Sequence, residues 1–187
     1  KCISRKTIKS HLITLKDFLR YCVREQVINN SFNDVIDLPL KLEKSPRNPF
    51  TTSELKKIFN PTTYPSCKTR NNQGKFWIPL VSLFQGCRLN EVCQLDVSDI
   101  VVEKGLECIS INGNSKDKSV KNSSSERVIP IHPILKELGF LEFVGFQQRN
   151  KQDKLFPELT FTKDHGYGRS IQRCFGRYLD TLGIKGR

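Results

Sequence analysis

The apolar positions of this chain recur mostly at spacings of three and four, with one central stretch at a spacing of two. Residues 4–26 open on Ser4-x-x-Thr7. Ile8, Leu12, Leu15, Phe18 or Leu19, and Cys22 follow at helical spacing, with Lys6, Lys9, Lys16, Arg20 and Arg24 interleaved. The pattern predicts an amphipathic helix with a basic outer face. Residues 40–49 combine charge, two prolines and no periodicity, which marks a linker. Beyond it, Thr52 or Ser53 is expected to cap a short helix over 54–59. The apolar run 76–84 then predicts a helix with Pro79 near its first turn, stopping at Gly86. A second run starts at Arg88 and carries Leu89, Val92, Cys93 and Leu95 on one helical face.

After Ile100 the period becomes two. Strands are predicted over 101–103 and 106–111, joined by a turn at Lys104-Gly105, and over 126–131 after a polar loop at 112–125. Pro130 places the third strand at a sheet edge. Helical spacing resumes over 133–144 and 168–182, with Leu155-Phe156-Pro157 a brief extended piece between them. The fold class is therefore mainly α with a small three-stranded antiparallel sheet (α+β). The organisation is a helical piece over 1–40, a linker over 41–49 and a mostly helical domain over 50–187.

Composition sharpens this picture. Lysine plus arginine number 31 against 19 acids in 187 residues, a formal charge of +12. The excess lies at the two ends, ten basic against five acidic side chains in 1–48 and eight against four in 151–187. Such a balance favours a polyanionic partner, nucleic acid first. No stretch approaches the roughly 18 apolar residues of a membrane span, and no N-terminal segment reads as a signal peptide. The seven cysteines are odd in number and lack a C-x-x-C pair, which argues against a zinc site or a disulfide framework and for small buried residues in a reducing cytoplasm. The absence of methionine leads to the expectation that the chain is a piece of a longer protein.

The candidate chemistry centres on Arg88. Gly86 can take the left-handed conformation that ends a helix, so Arg88 falls at the next helix N-terminus, where backbone N–H groups and the helix dipole favour a phosphate. Glu91, three residues on, can orient the guanidinium or answer N–H groups of the first turn. The plain alternative is a solvated surface arginine. His132 sits at a strand-to-helix junction and reads as structural; His11 and His165 read as surface residues.

The whole string Gly86-x-Arg88-x-x-Glu91-x-x-x-Leu95-x-x-x-Asp99-Ile100 resembles the first signature box of the tyrosine recombinases, the phage integrase family. Lys121-x-x-x-Ser125-x-Arg127-Val-Ile-Pro130-Ile-His132-Pro133 is similar to that family's sheet segment, 134–140 to the helix after it, and 7–30 to the last helices of its helical core-binding domain. The resemblance implies a site-specific recombinase that integrates or excises DNA through a 3′-phosphotyrosyl intermediate, without metal or cofactor. The expected partners are double-stranded DNA at attachment-type sites and further copies in a homotetramer on that DNA, with no membrane. The expected location is the cytoplasm of a bacterium, as the product of a phage or mobile element. Arg88 would balance charge on the phosphate. Lys121 would be the hairpin lysine that protonates the leaving 5′-oxygen, with Lys116 and Lys118 competing for that role. Glu91 and Asp99 would support the site, and Lys6, Lys9, Lys16, Arg20 and Arg127 would line the DNA backbone. A His-x-x-Arg box, a further His or Trp and the nucleophilic tyrosine belong after the 168–184 helix. Tyr167 and Tyr178 precede that place, so the chain ending at Arg187 is expected not to cleave DNA by itself. The alternative is a DNA-binding protein of the same fold without catalysis.

Overall fold

The apolar spacing that opens the sequence becomes one 20-residue helix, α1 (Arg5–Arg24). The computed structural model describes residues 3, 5–30, 48–65, 73–115, 117–120 and 122–184, and the chain divides into two units, Lys1–Asn48 and Pro49–Arg187. The expected cap Ser4 and most of the expected linker lie outside the described residues. Within the first unit only Cys22 is buried among the described residues, while Ile8, Leu15 and Phe18 of the predicted apolar face are exposed. No described helix is long and apolar enough to cross a membrane.

The second unit is α+β: helices α2 (Thr52–Ile58), α3 (Gln73–Gln85) and α4 (Leu89–Cys93), strands β1 (Ile100–Glu103), β2 (Leu106–Ile111) and β3 (Arg127–Pro130), then α5 (Pro133–Glu137), α6 (Phe140–Arg149) and α7 (Arg169–Thr181). α2 is capped by Thr51 rather than Thr52 or Ser53. Its side chain takes the Glu54 N–H, and Glu54 returns a bond to the Thr51 N–H at 2.7 Å, so the helix begins earlier than expected. α3 likewise starts at Gln73, because Glu158 accepts the Gly74 N–H at 2.6 Å from across the fold. Pro79 therefore stands in the helix interior and not in its first turn. The helix expected over 133–144 is two helices, broken where Gly139 turns left-handed at φ 89°.

The sheet is antiparallel in the order β1-β2-β3, with Ile109 opposite both Ile100 and Ile129. Period-two alternation turns Ile100, Ile109, Ile111, Ile129 and Ile131 inward, while Leu106 and Val128 of the other face stay exposed. Lys104 (φ 51°) and Gly105 (φ 79°) make the tight β1–β2 turn. β3 is the edge that Pro130 signalled. The Gln85 side-chain amide covers it, donating to the Pro130 carbonyl (3.0 Å) and accepting the His132 N–H (3.2 Å). The core lies between the sheet and the helices, where Trp77 of α3 packs on Phe140 and Phe143 of α6, and Phe143 stacks on Phe156.

Candidate functional site

α3 ends at Gly86, left-handed at φ 62°, and the chain re-enters helix at once with Arg88 as the N-cap of α4. Glu91, one turn in, is 4% exposed. Its carboxylate accepts three donors: the Arg88 N–H at 3.0 Å, Arg88 Nη1 at 2.6 Å and Arg127 Nη2 at 2.8 Å. Both roles expected of Glu91, orienting the guanidinium and answering the helix N-terminus, are thus filled at once. At the N-terminus of α4, a helix of five residues, the cap N–H is taken by Glu91. Any anion at this place meets guanidiniums.

Two arginines meet there. Arg127, expected among the DNA-backbone residues, lies against the same carboxylate. β3 starts opposite Ile111 and carries Arg127 back toward α4, where Nη1 also donates to the Ser125 carbonyl (2.8 Å) and Nη2 lies 3.8 Å from Cys87 Sγ. Ser125 is buried, and its hydroxyl accepts Arg88 Nη1 at 3.3 Å and donates to Asn122. Burial pushes the Glu91 carboxyl up, but the hydrogen bonds from Arg127 and Arg88 outweigh it and hold the group below its ordinary value. The hydrogen bond to Glu91 raises Arg127 further, against the opposing effect of burial. Burial dominates at Cys87 and keeps it a thiol.

A second cluster fixes the β2–β3 loop. Asp99, expected to be structural, accepts the Asp96 N–H (2.7 Å), Asn112 Nδ2 (2.9 Å) and Lys118 Nζ (2.6 Å). Lys118 Nζ is also 2.6 Å from Asp96 Oδ2. Lys154 bridges Asp96 (2.9 Å) and Asp117 (2.7 Å) and lies over the Tyr167 ring, whose hydroxyl donates to Asp117. The Gln94 amide holds both backbone groups of Ser119 at 3.1 and 3.2 Å. The hydrogen bonds from Lys154 and Tyr167 hold the Asp117 carboxyl down at about 2. At Asp96, burial acts upward and the two lysines prevail, leaving it low. The polar loop is thus tied to the segment that carries α4.

Of the three lysines weighed for the hairpin role, Lys118 is buried in this ion pair, and Lys116 and Lys121 lie outside the described residues. On α1, Lys9 and Arg20 are exposed, Arg20 in a 3.0 Å pair with Asp17, and Lys16 is half-buried. The Lys6 side chain lies outside the described set. His132 caps α5, Nδ1 accepting the Ile134 N–H at 3.2 Å, and its ring packs on Phe84. His11 and His165 are exposed. Ser125 stood in the string of the sheet segment without a role of its own, and Cys87 and the Lys154–Asp117–Tyr167 chain carried no motif, since they are assembled by loop closure. Compared with family models, with curated proteins and with solved structures, the chain matches none.

Proposed function

We propose that this chain is the phosphate-binding part of a tyrosine-type site-specific recombinase: the end of a core-binding domain followed by a recombinase-like catalytic core that acts on double-stranded DNA. The observation that carries the reading is the folding of the Gly86-x-Arg88-x-x-Glu91 box. The turn at Gly86, the cap at Arg88 and the buried Glu91 hold a forked, half-exposed cation beside the β2–β3 loop. A rigid guanidinium on a buried carboxylate stabilises charge building on a phosphoryl group without reorganising at the moment of reaction. The formal charge of +12 and the exposed cations of α1 favour a DNA backbone as the partner. Lys121 remains our assignment for the proton donor to the leaving 5′-oxygen, with Lys116 as its rival; Lys118 is committed to Asp96 and Asp99. Assembly as a tetramer on DNA, in the cytoplasm, belongs to the same reading.

The attacking tyrosine in this reading is none of the four in the sequence. The Tyr64 hydroxyl donates to the Phe76 carbonyl (2.7 Å), Tyr178 to the Ile58 carbonyl (2.6 Å) and Tyr167 to Asp117, while Tyr21 lies exposed on α1. The same commitments favour a second reading, a DNA-binding protein of this architecture without catalysis. The native coding frame beyond Arg187 separates them. Expressed with that sequence, a recombinase forms a covalent protein–DNA adduct on nicked duplex. Arg88→Ala abolishes the adduct while duplex affinity falls less than about threefold. Equal, modest losses of binding and adduct would remove the catalytic role of Arg88, and no adduct at all would leave only the binding protein.

A further inference from the structure

We infer that Arg127 is a second ligand of the phosphate that Arg88 binds, so that one phosphodiester group sits against two guanidiniums held on a single buried carboxylate. The inference rests on reading the site as phosphate-directed and goes beyond it by moving Arg127 from the DNA-facing periphery to the reacting phosphate.

Charge makes the first argument. Glu91 is buried and already answered by the Arg88 backbone N–H and guanidinium. Asp96 also pairs with two lysines, but there Asp99 and Asp117 balance them. Among the described residues Glu91 alone answers two guanidiniums, and the cluster is left with one net positive charge in a partly desolvated place, which is unfavourable until an anion arrives. A phosphodiester carries one negative charge and neutralises it.

Exposure and donor count make the second. The side chains of Arg88 and Arg127 are 57% and 33% exposed, against 4% for Glu91, so an anion reaches both guanidiniums and not the carboxylate. Arg88 spends only Nη1, on Glu91 and Ser125; among the described residues Nε and Nη2 have no partner. Arg127 spends Nη1 and Nη2 and keeps Nε. Both forks are fixed by the same two residues, Arg88 through Ser125 Oγ and Arg127 through the Ser125 carbonyl, with Glu91 between them. Two planar donors fixed in advance lose little side-chain freedom on binding, and their free N–H groups suit the two non-bridging oxygens of one phosphate.

The test is a titration with inorganic phosphate at constant ionic strength, followed by the arginine Nε–H resonances of the full chain. It is repeated on Arg88→Gln, Glu91→Gln and Glu91→Gln/Arg127→Gln. The expected result is that the Arg88 and Arg127 signals shift together with one Kd, and that the double variant binds phosphate about tenfold more weakly than Glu91→Gln alone. Comparison within the Glu91→Gln background removes the carboxylate-holding role of Arg127. If the double variant does not fold, the two wild-type signals decide. Movement of the Arg88 signal alone, or equal affinity of the single and double variants with Arg88→Gln impaired, overturns the inference and leaves the phosphate reading standing. Binding that is indifferent to Arg88→Gln removes both.

Discussion

Lys118 Nζ lies 2.6 Å from Asp99 Oδ2 and equally far from Asp96 Oδ2, with the lysine side chain 3% exposed. A lysine so deep is an anchor. It draws the β2–β3 loop onto the turn after α4, and the same loop then returns Ser125 and Arg127 to Arg88 and Glu91.

Removing that anchor leaves Asp99 buried with no cation. Lys118→Ala is expected to cost about 3 kcal/mol of unfolding free energy, the range for breaking one side of a buried pair. Lys154→Ala, whose side chain is 22% exposed, costs less. Urea titrations of both variants check this, and a Lys118→Ala midpoint indistinguishable from wild type would contradict the anchoring role.

Asp117 sets an acid limb. Its carboxyl is held at about 2 in the fold against an ordinary 3.8, so the pairing contributes fully above the ordinary value and is lost as pH falls through the lower one. The stability gap between wild type and Asp117→Asn should therefore be constant above about pH 5 and close between about pH 4 and pH 2. A gap that persists to the lowest pH would mean that Lys154 and Tyr167 do not depend on the charge.

Arg88 and Arg127 share Glu91 but differ in burial, so their alanine variants should separate. Arg88→Ala removes a pair whose cation is 57% exposed and should cost no more than about 1 kcal/mol. Arg127→Ala also strips the Ser125 carbonyl of its donor and should cost about 2 kcal/mol. Thermal melts measure both, and the opposite order would show that Arg88 is chiefly structural.

What the sequence disclosed follows from the range of the interactions. Gly86, Arg88 and Glu91 lie within six residues, so spacing alone places the guanidinium at the cap and the carboxylate one turn on. The strands were legible for the same reason: alternation at Ile109 and Ile111 is a property of neighbours. α3 began earlier than its apolar run because its N-terminus is capped by Glu158, 84 positions away. The break at Gly139 was hidden because Leu135, Leu138 and Leu141 keep helical spacing across it. The ion pairs of Lys118 and Arg127 were hidden because a basic side chain in a polar segment reads as solvated until closure brings Asp99 or Glu91 beneath it.

Gly166 holds the last of these long-range ties. It and Gly86 are both left-handed, at φ 59° and 62°, so alanine costs about 1 kcal/mol of backbone strain at either position. Around Gly86 a Cβ meets nothing within 4 Å, whereas at Gly166 it falls 2.3 Å from Asn90 Nδ2 and 2.7 Å from Asn90 Oδ1. Asn90 lies between Arg88 and Glu91 in sequence, and its Oδ1 accepts the N–H groups of Tyr167 and Gly168 at 3.0 and 3.1 Å. Displacing it unties the loop before α7 from α4. Gly166→Ala is thus expected to destabilise by at least about 2 kcal/mol, and Gly86→Ala by about 1 kcal/mol. In an Asn90→Ala background, Gly166→Ala should fall back to the cost of the φ angle alone, and that coupling is the measurement to make by double-mutant cycle. Equal costs of Gly166→Ala in both backgrounds would show that Asn90 is not what confines the glycine.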